Sequence, residues 1–219
     1  MIKKNILLII LILSLVKNIF PQGYNFLERK IKTSDKDIIK NIFSVKEEIK
    51  IDENGGFIFK PVNKTFPCAS SSLKNDGYGP YTPDMVSDYK ANTAWVEGVN
   101  GYGKGEWIAI QNDWYGTHIT IYPSWGVKEN WKKNNRIKKA KICIFIIFES
   151  NETKFKTSNK IIEGEITFPD KEDYFYLKLP DWKYESGGKF IAFLEIMDVY
   201  PGTSFNDTCV SWFSFDIEQ

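Results

Sequence analysis

Between Asn92 and Trp107 the chain reads NTAWVEGVNGYGKGEW, and few architectures accommodate that stretch. Two tryptophans and two glutamates are too much structure for a linker, and four glycines are too many for a helix. Thr93 to Val96 reads as a short strand entry, because aromatic and β-branched residues suit a pleated, half-buried surface. Gly98, Gly101, Gly103 and Gly105 supply backbone freedom for a tight excursion. Glu106 to Ile110 then returns as a second strand with alternating apolar positions.

The rest of the body repeats this grammar. Strands are expected at Cys68–Leu73, Thr117–Tyr122, Ile137–Phe148, Glu163–Phe168, Tyr174–Leu179, Phe190–Tyr200 and Val210–Ile217, at the spacing of a sandwich. A Gly/Pro/Tyr loop spans 74–83 and a Lys-rich loop, VKENWKKNNR, leads into the long apolar strand. No helical period follows residue 45, so the class is all-β. Upstream, Ser34 to Asp37 could cap a short helix ending at Phe43. Ile49 and Ile51, then Phe57 and Phe59, alternate around Glu53-Asn54-Gly55-Gly56 as in a β-hairpin.

Lys3-Lys4 followed by the apolar run Ile6–Val16 has the layout of an export signal, and the run is short for a membrane span. Residues 1–23 are assigned to it, with cleavage near Gln22–Tyr24 and an uncleaved anchor as the alternative. Residues 24–65 form a charged extension, and 66–219 the sandwich. Secretion or residence in the cell envelope follows, with no stable membrane span after cleavage. With 29 basic and 28 acidic residues the net charge of +1 provides no field for nucleic acid. Cys143, in an apolar run, reads as a buried free thiol.

A series of motifs carries a resemblance: ASSSL at 69–73, Asp88, TAWVEG at 93–98, GYGKGEW at 101–107, NNRIKK at 134–139, DVYPG at 198–202 and DTCVS at 207–211. In this order they resemble the bacterial NAD glycohydrolase translocation domain, a subgroup of the discoidin (coagulation factor 5/8 type C) domains. The resemblance covers about two-thirds of the chain. It implies a galactose-binding-like jelly-roll β-sandwich, here with a short N-terminal extension, that binds glycans or cell surfaces and performs no chemistry. NAD cleavage belongs to another domain and is not implied.

The resemblance also implies two structural bonds. It brings the ends of the domain together, making Cys68 and Cys209 a candidate disulfide; cysteine spacing leaves open that all three thiols are reduced. It places a structural calcium before the TAW strand, with Asp88 and Thr93 as matching ligands. Lys90 and Trp212 stand where acidic residues are expected, so no cofactor is certain and calcium is the one candidate.

The single histidine, His118, sits on a strand whose Ile119 and Ile121 point inward, so a triad or multi-histidine metal site lacks its parts. Glu97 and Glu106 flank the glycine loop, and a small glycan hydrolase using them is the least favoured alternative, since paired carboxylates need a deep cleft. A glycan site wants an aromatic platform with polar groups beside it. The candidates are Glu97, Tyr102, Trp125, Trp131, Asn135 and Arg136, on loops that could converge at one end of the sandwich. Arg136 pairing with Glu97 or Glu106 is the competing structural role. The basic cluster at 128–141 reads as a solvated loop with an anionic surface as the alternative. The expected partner is a glycan or glycosylated surface; the alternative is another envelope protein docked by the same loops.

Overall fold

The computed structural model describes residues 24–126, 129–151, 153–181 and 187–217; the expected export signal lies outside them. Thirteen strands run in chain order among these residues: β1 (Leu27–Lys30), β2 (Lys50–Ile51), β3 (Phe57–Phe59), β4 (Cys68–Ala69), β5 (Trp95–Val96), β6 (Trp107–Asn112), β7 (His118–Tyr122), β8 (Arg136–Asn151), β9 (Lys154–Thr167), β10 (Phe175–Lys178), β11 (Lys189–Tyr200), β12 (Cys209–Val210) and β13 (Trp212–Asp216). One α-helix, α1 (Lys36–Phe43), and 3-10 turns at Thr33–Asp35 and Pro83–Ser87 complete the set.

The large sheet has the order β2-β3-β9-β8-β11-β6-β4, with β1 also pairing to β9; β10-β7-β13 form a small sheet, and β12-β5 a two-stranded ladder. This is the expected all-β sandwich. Its core lies between the sheets. Ile119 and Ile121 of β7, Phe175 and Leu177 of β10, and Phe213 and Phe215 of β13 meet Ile142, Ile144 and Ile146 of β8 and Phe190, Ala192 and Leu194 of β11. Period-two alternation puts each of these residues on one face.

The other face of β8 and β11 is buried too, which explains why Ile142–Phe148 reads as an unbroken apolar run. Cys143, Phe145, Ile147, Ile191 and Phe193 lie under Ile39, Ile42 and Phe43 of α1 and Phe57 and Phe59 of β3. Phe43 is fully enclosed, its ring 4.9 Å from Phe59, 5.6 Å from Phe66 and 5.7 Å from Phe155. Arg29 of β1 clamps this layer, donating to Asp35 at 2.7 and 2.8 Å and to Glu163 of β9 at 2.5 Å. Asp35 in turn accepts the backbone N–H of Lys32 at 2.7 Å before α1 starts. The extension is therefore layered onto the sheet, with the short helix and hairpin where the sequence suggested.

Strand boundaries differ from the expectation: the strand expected at Val210–Ile217 is broken at Ser211 into β12 and β13, which join different sheets, and two others shift. β9 starts at Lys154, far earlier than Glu163, because its polar first half pairs with β8 and with β1 and β3 of the extension. The strand expected at 68–73 is only Cys68–Ala69, since Ser70 and Ser71 leave the ladder to hydrogen-bond Glu106. Cys68, Cys143 and Cys209 are all free thiols. The Cys68–Cys209 disulfide is thereby corrected: Cys68 packs against the outer layer, while Cys209 is enclosed with Tyr81, Ala94 and Val96.

Candidate functional site

The glycine excursion is tied inward. The backbone N–H of Val99 donates to Glu97 Oε2 at 2.9 Å and that of Thr208 to Glu97 Oε1 at 3.2 Å. The Thr208 hydroxyl donates to the Tyr102 carbonyl at 2.9 Å. Glu97 is fully buried, and burial raises its carboxyl above the ordinary value against the pull of those two N–H groups. Gly103 adopts a φ of +63°, and a Cβ there would lie 2.6 Å from Glu97 Cγ. Glu106 accepts the hydroxyls of Ser70 and Ser71. Both glutamates thus accept two hydrogen bonds each from within the fold.

Asn135 and Arg136 are equally committed. Asn135, fully buried, donates to the Asn206 carbonyl and accepts the Gly202 N–H at 2.7 Å. Its backbone N–H reaches the Asp207 carbonyl at 3.0 Å. The 201–207 loop is further held by Thr203, Ser204 and Phe205 N–H groups donating to the carbonyls of Lys132 and Lys133. Gly202 is required at this crossing, because a Cβ would lie 2.4 Å from the Lys133 carbonyl oxygen. Arg136 pairs with Asp170 at 2.7 and 3.2 Å, not with Glu97 or Glu106.

Glu97, Tyr102 and Asn135 thus meet around Thr208, with Arg136 adjoining, but the side-chain polar groups of Glu97, Asn135 and Arg136 bond within the fold. Trp131 is buried beneath Arg136 and Lys132, whose charged groups lie 5.2 and 5.4 Å from its ring. The stems of long basic side chains cover apolar surface in this way, so a tryptophan in a polar loop need not be exposed. Tyr102 remains half exposed beside the glycine loop. Part of the basic cluster is paired: Lys138 with Asp198, which Lys104 shares, Lys139 with Glu165, and Lys141 with Glu163, which Arg29 shares.

Trp125 does line a cleft. It is an open depression of about 610 Å³ at the loop end of the sandwich, between the 73–81 loop, the turn around 125–134 and the 204–207 loop. Tyr78, Tyr81, Trp125 and Phe205 are its aromatic walls; Asp76, Asn130, Lys133, Asn134 and Asp207 supply polar groups. Tyr78 and Phe205 stand exposed at 89 % and 52 %. Tyr81 is buried, with its ring centroid 6.0 Å from that of Trp125, edge to face. The indole N–H groups differ: Trp95 donates to the Ser71 carbonyl and Trp212 to Ser214, whereas that of Trp125 is enclosed without a protein acceptor.

Local turns aim these groups. Asn75 accepts the Gly77 N–H at 2.8 Å, and Asp76 accepts the Tyr78 N–H at 2.9 Å and the Tyr81 hydroxyl at 3.0 Å. Chiefly through the Tyr78 N–H, the Asp76 carboxyl is held below its ordinary value. Burial pushes the Tyr81 hydroxyl up to about 12 and raises the Asp207 carboxyl, to which neighbouring Asp76 adds. Asp76, Tyr78, Tyr81, Phe205 and Asp207 were not among the sequence candidates. Aromatic residues within the 74–83 turn-forming loop were the available signal.

At the expected calcium loop, the Thr93 hydroxyl lies 2.9 Å from each Asp88 carboxylate oxygen, and the Lys90 N–H donates to Asp88 at 3.0 Å. Trp212, where an acid was expected, packs edge to face on Tyr89 at 5.4 Å. Among the described residues no three His, Cys, Asp or Glu side chains gather as a metal site. The Asp88 carboxylate, the acid expected to ligate calcium, is thus taken up by the Thr93 hydroxyl and the Lys90 N–H in this structure. Among the same residues, no helix is long and apolar enough to cross a membrane.

A family model for the NAD glycohydrolase translocation F5/8 type C domain matches residues 61–216. No curated protein sequence matches the chain. Among solved structures, a Ruminococcus gnavus GH29 fucosidase in complex with fucose aligns at 12 % identity and a TM-score of 0.33. A mutant of that enzyme, also with fucose, aligns with the same values. The alignment covers 86 % of this chain and 31 % of each fucosidase chain.

Proposed function

This chain belongs to the NAD glycohydrolase translocation F5/8 type C family, and from that premise we propose that it is an exported, non-catalytic module that binds carbohydrate at the loop-end cleft. The observation that carries the reading is the composition of that cleft. Aromatic rings stand beside amides and carboxylates within a volume that suits a mono- or disaccharide. Tyr and Trp present large rigid faces at low entropic cost, which suits the C–H faces of a sugar ring. Export rests on the N-terminal segment, and amino-terminal sequencing of the secreted protein would check it.

The test is thermal unfolding of the purified protein against a panel of mono- and oligosaccharides. A ligand that binds only the folded state stabilises it by about 2.7 kcal/mol at a hundred times its Kd. The expected result is a shift with one sugar class that Tyr78→Ala and Trp125→Ala abolish. A panel without any shift, on protein that unfolds cooperatively, overturns the reading.

Docking of an envelope protein is the second reading, favoured by the exposure of Tyr78 and Phe205, which both line the cleft. Rings of this kind anchor protein interfaces. Free sugar separates the two: it displaces a glycan-bearing surface and leaves a protein partner in place.

A further inference from the structure

Resting on the carbohydrate reading, we infer that the cleft selects by charge: it takes a sugar bearing a free amino group, seated against the carboxylates of Asp76 and Asp207. Both acids line the same cleft, on loops that approach from opposite sides of it in sequence, 73–81 and 204–207. Asp76 is fixed in place by its own turn and by the Tyr81 hydroxyl. The Asp207 carboxylate accepts its own backbone N–H, while its carbonyl accepts the Asn135 N–H and the Cys209 thiol, which anchors the backbone beneath it. A rigidly anchored carboxylate with spare acceptor capacity is a prepared seat for a cation.

The remaining polar groups point the same way. The one cation in the cleft, Lys133, donates to Asn130 Oδ1 at 3.2 Å, which directs its ammonium to an amide and not to either acid. The lining thus carries two acids against one base, disfavouring a uronate or other acidic sugar. An ammonium meeting a partly desolvated carboxylate makes a charge-assisted bond that an acetylated nitrogen cannot make. The other observation independent of the acids is the Trp125 ring, a wall held by packing alone, suited to stack against the same sugar.

The experiment is calorimetric titration of the full protein with oligomers of glucosamine, N-acetylglucosamine and glucuronate at near-neutral pH and moderate salt. The expected result is that the amino oligomer binds on the order of tenfold more tightly than its acetylated counterpart. Asp207→Asn and Asp76→Asn should each shrink that preference, read as the ratio of the two oligomers' affinities within the same variant, and the double variant should bring the ratio close to one. Equal binding of amino and acetylated forms overturns the charge inference and leaves the carbohydrate reading standing. A preference that survives both substitutions also overturns it, because a diffuse attraction of polycation to protein would then suffice. Failure of every oligomer and every panel sugar overturns both readings together.

Discussion

The loop at 97–106 and the loops at 74–81 and 201–207 each combine glycine, an aromatic residue and an acid, yet they use them differently. In the first, each carboxylate receives two hydrogen bonds from within the chain: Glu97 from Val99 and Thr208, Glu106 from Ser70 and Ser71. In the second pair, Tyr78 and Phe205 stand in solvent and Asp207 keeps acceptor capacity. Residue type is the same in both regions. Asp76 also accepts two hydrogen bonds, so what separates scaffold from site is exposure: Glu97 is enclosed, whereas Asp76, Tyr78 and Phe205 stand open beside the cleft.

The sharpest way to break this comparison is Glu97→Ala. It strands two backbone donors in a dry interior and should cost about 3 kcal/mol in chemical denaturation. A loss below about 1 kcal/mol would mean the glycine loop is not anchored as described. Arg136→Ala comes next, at about 2 kcal/mol, because the Asp170 fork and the cover over Trp131 go together. Arg136→Lys should recover less than half, since an ammonium cannot reproduce the fork.

Acid titration sharpens the contrast by sign. Hydrogen bonding to Arg29, then to Lys141, lowers the Glu163 carboxyl from 4.5 to about 2 against the opposing effect of burial. Its contribution is present above the ordinary value and is lost as pH falls towards 2, by roughly 2 kcal/mol. Glu163→Gln should flatten that limb. Asp207 runs the other way. Its raised carboxyl binds protons more tightly folded than unfolded, so stability falls as pH rises from the ordinary 3.8 through the raised value. Asp76, Glu97, Tyr81 and Lys133 are the charged or titratable groups around it. Asp207→Asn should remove the slope and raise the unfolding midpoint near neutral pH, as expected of a group retained for binding at the expense of stability. The smallest effect belongs to Tyr78→Ala, within about 0.5 kcal/mol of the parent in stability. A larger loss would place Tyr78 with the scaffold.

Much of the sandwich was legible because alternation in β10 and β13 is clean and β8 and β11 carry unbroken apolar runs. Less legible was the first half of β9: KFKTSNK reads as a polar loop, with only Phe155 and Thr157 turned inward and buried. Its strand character comes from partners far away in sequence. In the site, Trp125 was readable as a tryptophan in a polar loop, while Trp131 obeyed the same rule and was buried under basic stems. Asp76, within the Gly/Pro/Tyr loop, and Asp207, within DTCVS, were not singled out as cleft residues. Asp76 caps a turn, through the Tyr78 N–H, and lines the cleft as well. A sequence shows the first role and conceals the second.

The clamp from Arg29 to Glu163 joins residues 134 positions apart, and β3 waits similarly for Phe155 and Lys156 of β9. Chain growth runs in the opposite order, so the first segment made is among the last able to find its place. Until β8 and β9 exist, Ile39, Ile42, Phe43, Phe57 and Phe59 have no surface to cover. Such dependence on distant pairings slows folding and lengthens the interval in which these side chains invite aggregation. The cell must keep this nascent segment soluble for longer than its short helix and hairpin would suggest.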